Sequence, residues 1–300
     1  PLRTIGNPGG LQVGKYDERR MQNPEGLALD SHGQLWVCEY DAWPKRVSLW
    51  DAATGKFIKG LYGPPHYGGG GAIDPEDPTR LFYAQYGNLT EWRLDWKKGE
   101  AKLESICVRR SLMGSTNDIA RWHQGIPERP VIIGGRTYLI PTFSGFLRYN
   151  DNTPIYLLGD DGVAWPVAYV GTLRRWAPDG VKVLEDVIAR YPQDPNLSWL
   201  DNYNDMVVAW SDKNFDHQVQ ADEFTFRSFP ELTVTTEDGK IRRLNRKEMK
   251  YCLPDLSAVF GWHMQIGAPT FDANGVPCYN LETMRALIAA EIVAHISSHI

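Results

Sequence analysis

Residues 24–60 read PEGLALDSHGQLWVCEYDAWPKRVSLWDAATGKFIKG. This stretch contains four short runs in which apolar and polar residues alternate, which is the pattern of β-strands with one buried face. Turn-forming residues at 30–33, 41–45 and 51–55 separate the runs. Four strands at this spacing predict one antiparallel meander of about 40 residues, which is the size of a propeller blade.

A second copy of the pattern follows the glycine-rich segment 62–71. Its four runs correspond in order to those of the first copy and lie at 72–75, 80–84, 91–96 and 98–103. Two consecutive units with the same internal order indicate a repeat architecture, because each unit alone cannot bury its apolar face.

The pattern P-x-G-L-A-x-D-x-x-G-x-L-W-V, followed by R-V-x-x-W-D-x-x-T-G-x-F, resembles a blade of the NHL-repeat and gluconolactonase-like group of β-propellers. The resemblance is close over residues 22–108 and patchy as far as residue 279. It implies an all-β fold, a β-propeller of about six four-stranded blades. We count five to six units in the chain, so an incomplete ring of blades is the alternative.

The later units match the pattern less well. The third unit is predicted at 135–140 and 146–149, the fourth at 154–158, 164–170, 171–176 and 181–187, and the fifth begins at 206–210. A last segment at 267–279 repeats the start of the first blade. The strands of these units are predicted from their alternation and from the turn residues between them.

Three segments follow from this pattern. Residues 1–21 are interpreted as a leading loop or the remnant of an upstream blade, and residues 22–280 as the propeller domain. Residues 281–300 are predicted to form a short C-terminal helix with a cap at Asn280, because apolar residues recur at helical spacing. These apolar residues are Met284, Leu287, Ile288, Ile292 and Ile296. The chain begins at Pro1 without a signal-like segment, so we interpret it as a fragment.

Composition limits the classes of partner. The chain has 300 residues and a formal net charge of −5, which provides no basic surface, so we expect no nucleic-acid partner. No apolar run approaches the roughly 20 residues that span a bilayer, so we expect no membrane span. The four cysteines lie far apart and match no zinc-binding spacing.

The most specific local motif is DKNFDHQVQADE at residues 212–223. It places Asp, Asn and Asp at positions one, three and five, a β-branched residue at eight and Glu at twelve, which resembles an EF-hand calcium loop. Calcium prefers six to eight oxygen ligands, and alternate side chains of a tight loop can direct their oxygens to one point. The predicted ligands are Asp212, Asn214, Asp216, Gln218 through its backbone carbonyl, and Glu223.

Two features differ from an EF-hand. His217 occupies position six, where the family has Gly, so we expect backbone strain there. The flanking residues 206–210 and 224–229 are predicted as strands rather than paired helices. We therefore predict an isolated Ca²⁺ loop, inserted in a late blade, with a structural role. The alternative is a polar surface turn.

A second divalent metal in a central channel is implied by the resemblance alone. Gluconolactonase-like hydrolases hold such an ion with Glu, Asn and Asp, although the E-G-P-x-W motif of those enzymes is absent here. Polar residues at the starts of blades are the candidate ligands: Glu25, Asp74, Asn117, Asp118, His123, Asn204, Asp205 and His263. Of these, Glu25, Asp205, His123 and His263 are the catalytic candidates. Residues of these types are more often turn formers or strand caps, and a core or channel-lining role explains His123 and His263 at least as well as a ligand role.

Our leading functional hypothesis is a bacterial-type, extracytoplasmic propeller that serves as a binding or scaffold module with one structural calcium. Its ligand would be a small molecule, a glycan or a protein. The first alternative is a metal-dependent hydrolase, similar to a lactonase, that uses the channel ion. The second is a lyase similar to peptide-amidating lyases, with a channel metal and a His or Tyr acid–base pair. The fold does not decide among these functions.

Overall fold

The computed structural model describes residues 3–40, 44–63, 70–85, 88–109, 129–140, 152–172, 206–228, 233–235, 241–243, 249–260, 264–287 and 291. The chain divides into two compact units. Unit one comprises Pro1–Met113 and the turn Gly159–Ala164, and unit two comprises Gly114–Leu158 and Trp165–Ile300. Within the described ranges, no helix has the length and apolar character needed to cross a bilayer.

Unit one contains two antiparallel meanders. Its strands are β1 (Gly14–Lys15), β2 (Pro24–Leu29), β3 (Gln34–Glu39), β4 (Arg46–Asp51), β5 (Phe57–Tyr62), β6 (Gly70–Ile73), β7 (Arg80–Gln85), β8 (Asn88–Asp95) and β9 (Glu100–Arg109). The first sheet has the order β2-β3-β4-β5, and the second has the order β1-β9-β8-β7-β6. The two predicted meanders, each with the strand order of a propeller blade, are therefore confirmed.

The structure corrects the alignment of the two copies in their third strands. Trp50 of β4 lies opposite Leu35, and Trp92 of β8 lies opposite Leu81. Each indole donates a hydrogen bond to the hydroxyl two residues earlier, from Trp50 to Ser48 at 3.0 Å and from Trp92 to Thr90 at 2.9 Å. The equivalent third strands are thus 46–51 and 88–93, whereas the sequence alignment placed the second copy at 91–96.

A buried Arg fixes the leading segment to the first sheet of unit one. The Arg46 side chain is 1% exposed, and its Nε donates to Glu39 Oε1 at 2.7 Å. Its guanidinium also donates to the Tyr16 hydroxyl, to Glu18 O at 2.9 Å and to Arg20 O at 2.6 Å. Because β1 pairs with β9, the same segment is held by both sheets of this unit.

The remaining strands form one large sheet and three smaller ones. They are β10 (Arg129–Ile133), β11 (Arg136–Ile140), β12 (Asn152–Leu158), β13 (Ala164–Thr172), β14 (Met206–Ser211), β15 (Phe224–Ser228), β16 (Thr233–Thr235), β17 (Ile241–Arg243), β18 (Met249–Cys252), β19 (Ala258–Phe260), β20 (Met264–Ile266), β21 (Thr270–Phe271), β22 (Pro277–Cys278) and β23 (Arg285–Ala286). Their sheets have the orders β10-β11-β12-β13-β14-β15, β18-β19-β20-β23, β16-β17 and β21-β22.

The division of this region into a third, fourth and fifth unit was wrong. The strands predicted for all three units share the six-stranded sheet, since Tyr138 of β11 pairs with Leu157 of β12 and Tyr169 of β13 pairs with Trp210 of β14. One apolar core explains this arrangement. It contains Val131, Tyr138, Ile140, Ile155, Val167, Val170, Val207, Ala209, Phe260 and Ile266 among others. The strands predicted at 146–149 and 181–187 lie outside the described residues.

The predicted C-terminal helix is corrected over residues 281–287. Leu281–Thr283 forms a single 3-10 turn, in which the Asn280 side chain accepts from the backbone N–H of Glu282 at 2.9 Å, so Asn280 does cap it. The chain then becomes extended as β23, which pairs with β20. The free edge of β20 supplies these backbone partners, and Leu281, Met284 and Leu287 remain buried at their three-residue spacing. Beyond residue 287 only Glu291 is described, and its backbone is helical.

The predicted all-β class, built of antiparallel meanders with the strand order of propeller blades, is thus confirmed for the described residues.

Candidate metal site

The EF-hand-like segment connects two strands of a β-hairpin. β14 and β15 pair antiparallel, with Trp210 opposite Phe224, so the predicted strands on both sides are confirmed. Val207 and Ala209 bury one face of β14 in the core. At the start of the connection, the Ser211 hydroxyl donates to Pro277 O at 2.8 Å. Both ends of the segment are therefore held by the sheet.

Asp212, at position one, is the centre of the first turn. Its side chain has no solvent exposure. Its carboxylate accepts the backbone N–H groups of Asp216 at 3.1 Å and His217 at 3.0 Å, and its own N–H donates to Val167 O at 2.9 Å. A buried carboxylate in this position stabilises a tight turn by accepting backbone N–H groups of the turn.

Glu223, at position twelve, closes the segment from the other end. It lies at the end of the 3-10 turn Ala221–Glu223 and is 3% exposed. Its carboxylate accepts the Trp210 indole N–H at 2.7 Å and the backbone N–H groups of Lys213 and Gln220, each at 3.0 Å. Burial, with a further contribution from the charge of Asp212, raises the pKa of Glu223 although these three hydrogen bonds lower it.

Asp216, at position five, is exposed, and its carboxylate accepts three hydrogen bonds. Its Oδ1 accepts the backbone N–H of Gln218 at 2.8 Å. Its Oδ2 accepts the side-chain amide of Asn214 at 3.0 Å and that of Gln220 at 2.8 Å. Desolvation raises the pKa of Asp216, but these hydrogen bonds lower it by more, so its net pKa is lowered.

His217, at position six, has the left-handed backbone predicted for this position. Its φ is 60°, and that of Phe215 is 57°. The imidazole stacks on the indole of Trp165 with centroids 4.9 Å apart and an interplanar angle of 2°, and it meets the Phe215 ring edge-on at 4.7 Å. Its Nδ1 lies 3.2 Å from Asp212 Oδ2. Packing of its imidazole against these two rings therefore holds His217 in a left-handed backbone conformation that is strained for residues other than glycine.

The two buried carboxylates, Asp212 and Glu223, accept several N–H groups but have no Lys or Arg side chain as an ion-pair partner in the described part of the chain. The His217 Nδ1 lies 3.2 Å from Asp212 Oδ2. Gln220 Oε1 is buried and has no hydrogen-bond partner in the part of the chain that the structure describes. Nor do any three His, Cys, Asp or Glu side chains of the described residues form a group that could hold a metal ion. The carboxylates of the connection are thus not arranged as a preformed metal site.

The structure brings together two groups of the predicted ligands. Glu223 accepts the N–H of Lys213, the neighbour of Asp212, and Asn214, Asp216 and Gln218 form an exposed network that is joined to Asp212 through the Asp216 N–H. Sequence reasoning missed Trp210 and Trp165, which contact this segment, and the role of Gln220 within it. The paired strands on either side of the motif would have been the signal for Trp210, since it is the last apolar residue of β14.

Most of the channel candidates cannot be placed. Asn117, Asp118, His123, Asn204, Asp205 and His263 lie outside the described residues. Glu25 is exposed on β2. Asp74 is buried, pairs with Arg80 at 3.2 Å and accepts the N–H of Glu76 at 2.9 Å, which is the arrangement of a structural turn.

Comparisons with known proteins add no family. No protein-family profile matches the chain, and no curated protein matches its sequence. The solved structures that resemble it include a protein from Lactobacillus plantarum, hydrazine synthase from Kuenenia stuttgartiensis and the PQQ domain of pyranose dehydrogenase from Coprinopsis cinerea.

These similarities are remote. The identities are 12%, 13% and 12%, the matches cover 92%, 81% and 92% of this chain, and the TM-scores are 0.24, 0.26 and 0.20. The matches cover 98% of the Lactobacillus protein but only 63% and 55% of the other two chains. At these TM-scores the similarity carries no argument, and the fold stands on the strand pairings described above.

Proposed function

We propose that this protein is a binding or scaffold module of the β-propeller type, in which a calcium ion held by residues 212–223 stabilises the β14–β15 hairpin. One observation carries the proposal: the two carboxylates at the ends of the connection, Asp212 and Glu223, are buried without a Lys or Arg partner among the described residues. Burial of a carboxylate without a cationic partner is costly even when it accepts hydrogen bonds, and a bound cation would offset that cost.

The donors of the connection suit calcium in kind. They are oxygens of carboxylates, amides and backbone carbonyls, which are the ligands of a hard divalent cation. Asp212, Asn214, Asp216 and Glu223 would hold the ion through their side chains, and Gln218 through its carbonyl. Gln220 Oε1, which is buried and has no hydrogen-bond partner among the described residues, is a further oxygen in the same segment. When bound, the ion would supply positive charge and a cross-link between the two ends of the hairpin connection.

Binding would require the exposed side chains to change partners. Asp216 Oδ2 now accepts two amide N–H groups, from Asn214 and Gln220, where a cation would compete with them. Asp216 and Asn214 are exposed, so their rotation costs little packing. Asp212 and Glu223 are fixed by the sheet and would keep their positions.

A weak site agrees with an extracytoplasmic location. The connection has only three carboxylates at ligand positions and no Gly at position six, and fewer charged ligands lower the affinity. EF-hand-type sites of extracellular modules bind calcium with dissociation constants of roughly 10⁻⁴ to 10⁻³ M, which intracellular free calcium does not reach. The binding partner of the module is proposed to be a small molecule, a glycan or a protein.

Terbium luminescence tests the site directly. The Trp210 indole donates to Glu223, so excitation of tryptophan should sensitise Tb³⁺ bound between Asp212 and Glu223. We expect luminescence that calcium competes away and that Asp216→Asn reduces strongly. Asp222→Asn is the matched control, because Asp222 is an exposed carboxylate of the same segment outside the proposed ligands.

Equal luminescence from wild type and Asp216→Asn, or failure of calcium to compete, would overturn the proposed site. Asp216 and Asp222 are both exposed, so Asp216→Asn and Asp222→Asn should leave the fold intact. Glu223→Gln, which is buried and conserves the shape of the side chain, provides a second variant that should also lose the signal.

No second function is proposed. Asp205, His123 and His263 lie outside the described residues, and Glu25 is exposed on β2, so no observation favours a hydrolase or a lyase. Both remain predictions from the resemblance.

A further inference from the structure

We draw no further inference here: the strongest candidate, the exposed edge strand β2 of the first sheet with the apolar side chains of Leu27 and Leu29, carries none because nothing in the structure shows what covers it.

Discussion

Two hairpins of this protein both end in a residue pair in which a Trp lies opposite a Phe, but the segments that connect their strands differ. In the β4–β5 hairpin Trp50 lies opposite Phe57, and in the β14–β15 hairpin Trp210 lies opposite Phe224. Residues 51–56 form the first connection, and residues 211–223 form the second, which is more than twice as long. Each connection has an Asp at or next to its start that binds backbone N–H groups.

The two aspartates differ in their burial and in the residues that take the left-handed conformation beside them. Asp51 is half-buried and accepts the N–H of Thr54 at 2.6 Å and its hydroxyl at 2.8 Å, while Gly55 takes the left-handed conformation with a φ of 75°. Asp212 is fully buried, and the left-handed residues are Phe215 and His217. The short connection is a complete turn by itself. The long one carries buried charge and strain that a turn does not need, and a bound cation would account for the buried charge.

The largest expected difference is the cost of removing each aspartate. Asp212→Ala would remove the acceptor of the His217 N–H and one of the two acceptors of the Asp216 N–H, and we expect it to lower the free energy of unfolding by about 2 kcal/mol. Asp51→Ala exposes its freed groups to water and should cost about 1 kcal/mol. Urea denaturation of the two variants in metal-free buffer measures both values. Equal losses would show that burial does not distinguish the two turns.

Substitution of the residues with left-handed backbone conformation should give a smaller difference in stability between the two hairpins. Gly55→Ala has room for a Cβ, with its nearest contact at 3.6 Å, so backbone strain alone should cost about 1 kcal/mol. His217→Gly relieves similar strain but loses the stack on Trp165 and adds unfolded-state entropy, so its effect should be near zero. Thermal melts of the metal-free variants compare them. A loss of several degrees for His217→Gly alone would mean that the stack outweighs the strain.

The smallest effect is the response to pH. The raised pKa of Glu223 means that the folded, metal-free protein binds this proton more tightly than the unfolded chain, so stability should fall as pH rises from about 4.5 through the folded pKa. The pKa of Asp51 is lowered, chiefly by the Thr54 hydroxyl, so its contribution is lost as pH falls below about 3.8.

Glu223→Gln isolates the first of these contributions. It should flatten the decline above pH 4.5 in metal-free buffer without changing the loss at lower pH. Denaturation midpoints measured across this range provide the comparison, with Asp51→Asn as the variant that should affect only the acidic limb. An unchanged decline in Glu223→Gln would assign it to another group.

The strands of unit one could be predicted because alternation and turn residues act over a few neighbours, as in Gly33 and Gly55, which both adopt left-handed φ. Sheet membership in the rest of the chain could not, because pairings such as Tyr138 with Leu157 depend on a shared core rather than on local pattern. The predicted helix is absent over residues 281–287 for a related reason: the spacing of Met284 and Leu287 also fits a 3-10 turn followed by a strand once β20 offers an edge.

The spacing of the metal-site residues was visible in the sequence, but their surroundings were not. The positions of Asp212 and Glu223 follow from the motif, whereas their burial depends on how β13, β14 and β15 pair. The same applies to the indole bond from Trp210 to Glu223. Chain-local patterns therefore identify candidate ligands, and the sheet decides which of them are buried.

Calorimetric titration of calcium into the metal-free protein tests the central proposal most directly. We predict one binding event in the wild type and in Asp222→Asn, and none in Asp216→Asn over the same concentration range. At a calcium concentration of 100 times the dissociation constant, bound calcium should stabilise the fold by about 2.7 kcal/mol. Absence of binding heat and of stabilisation in the wild type, or identical binding in Asp216→Asn, would contradict it.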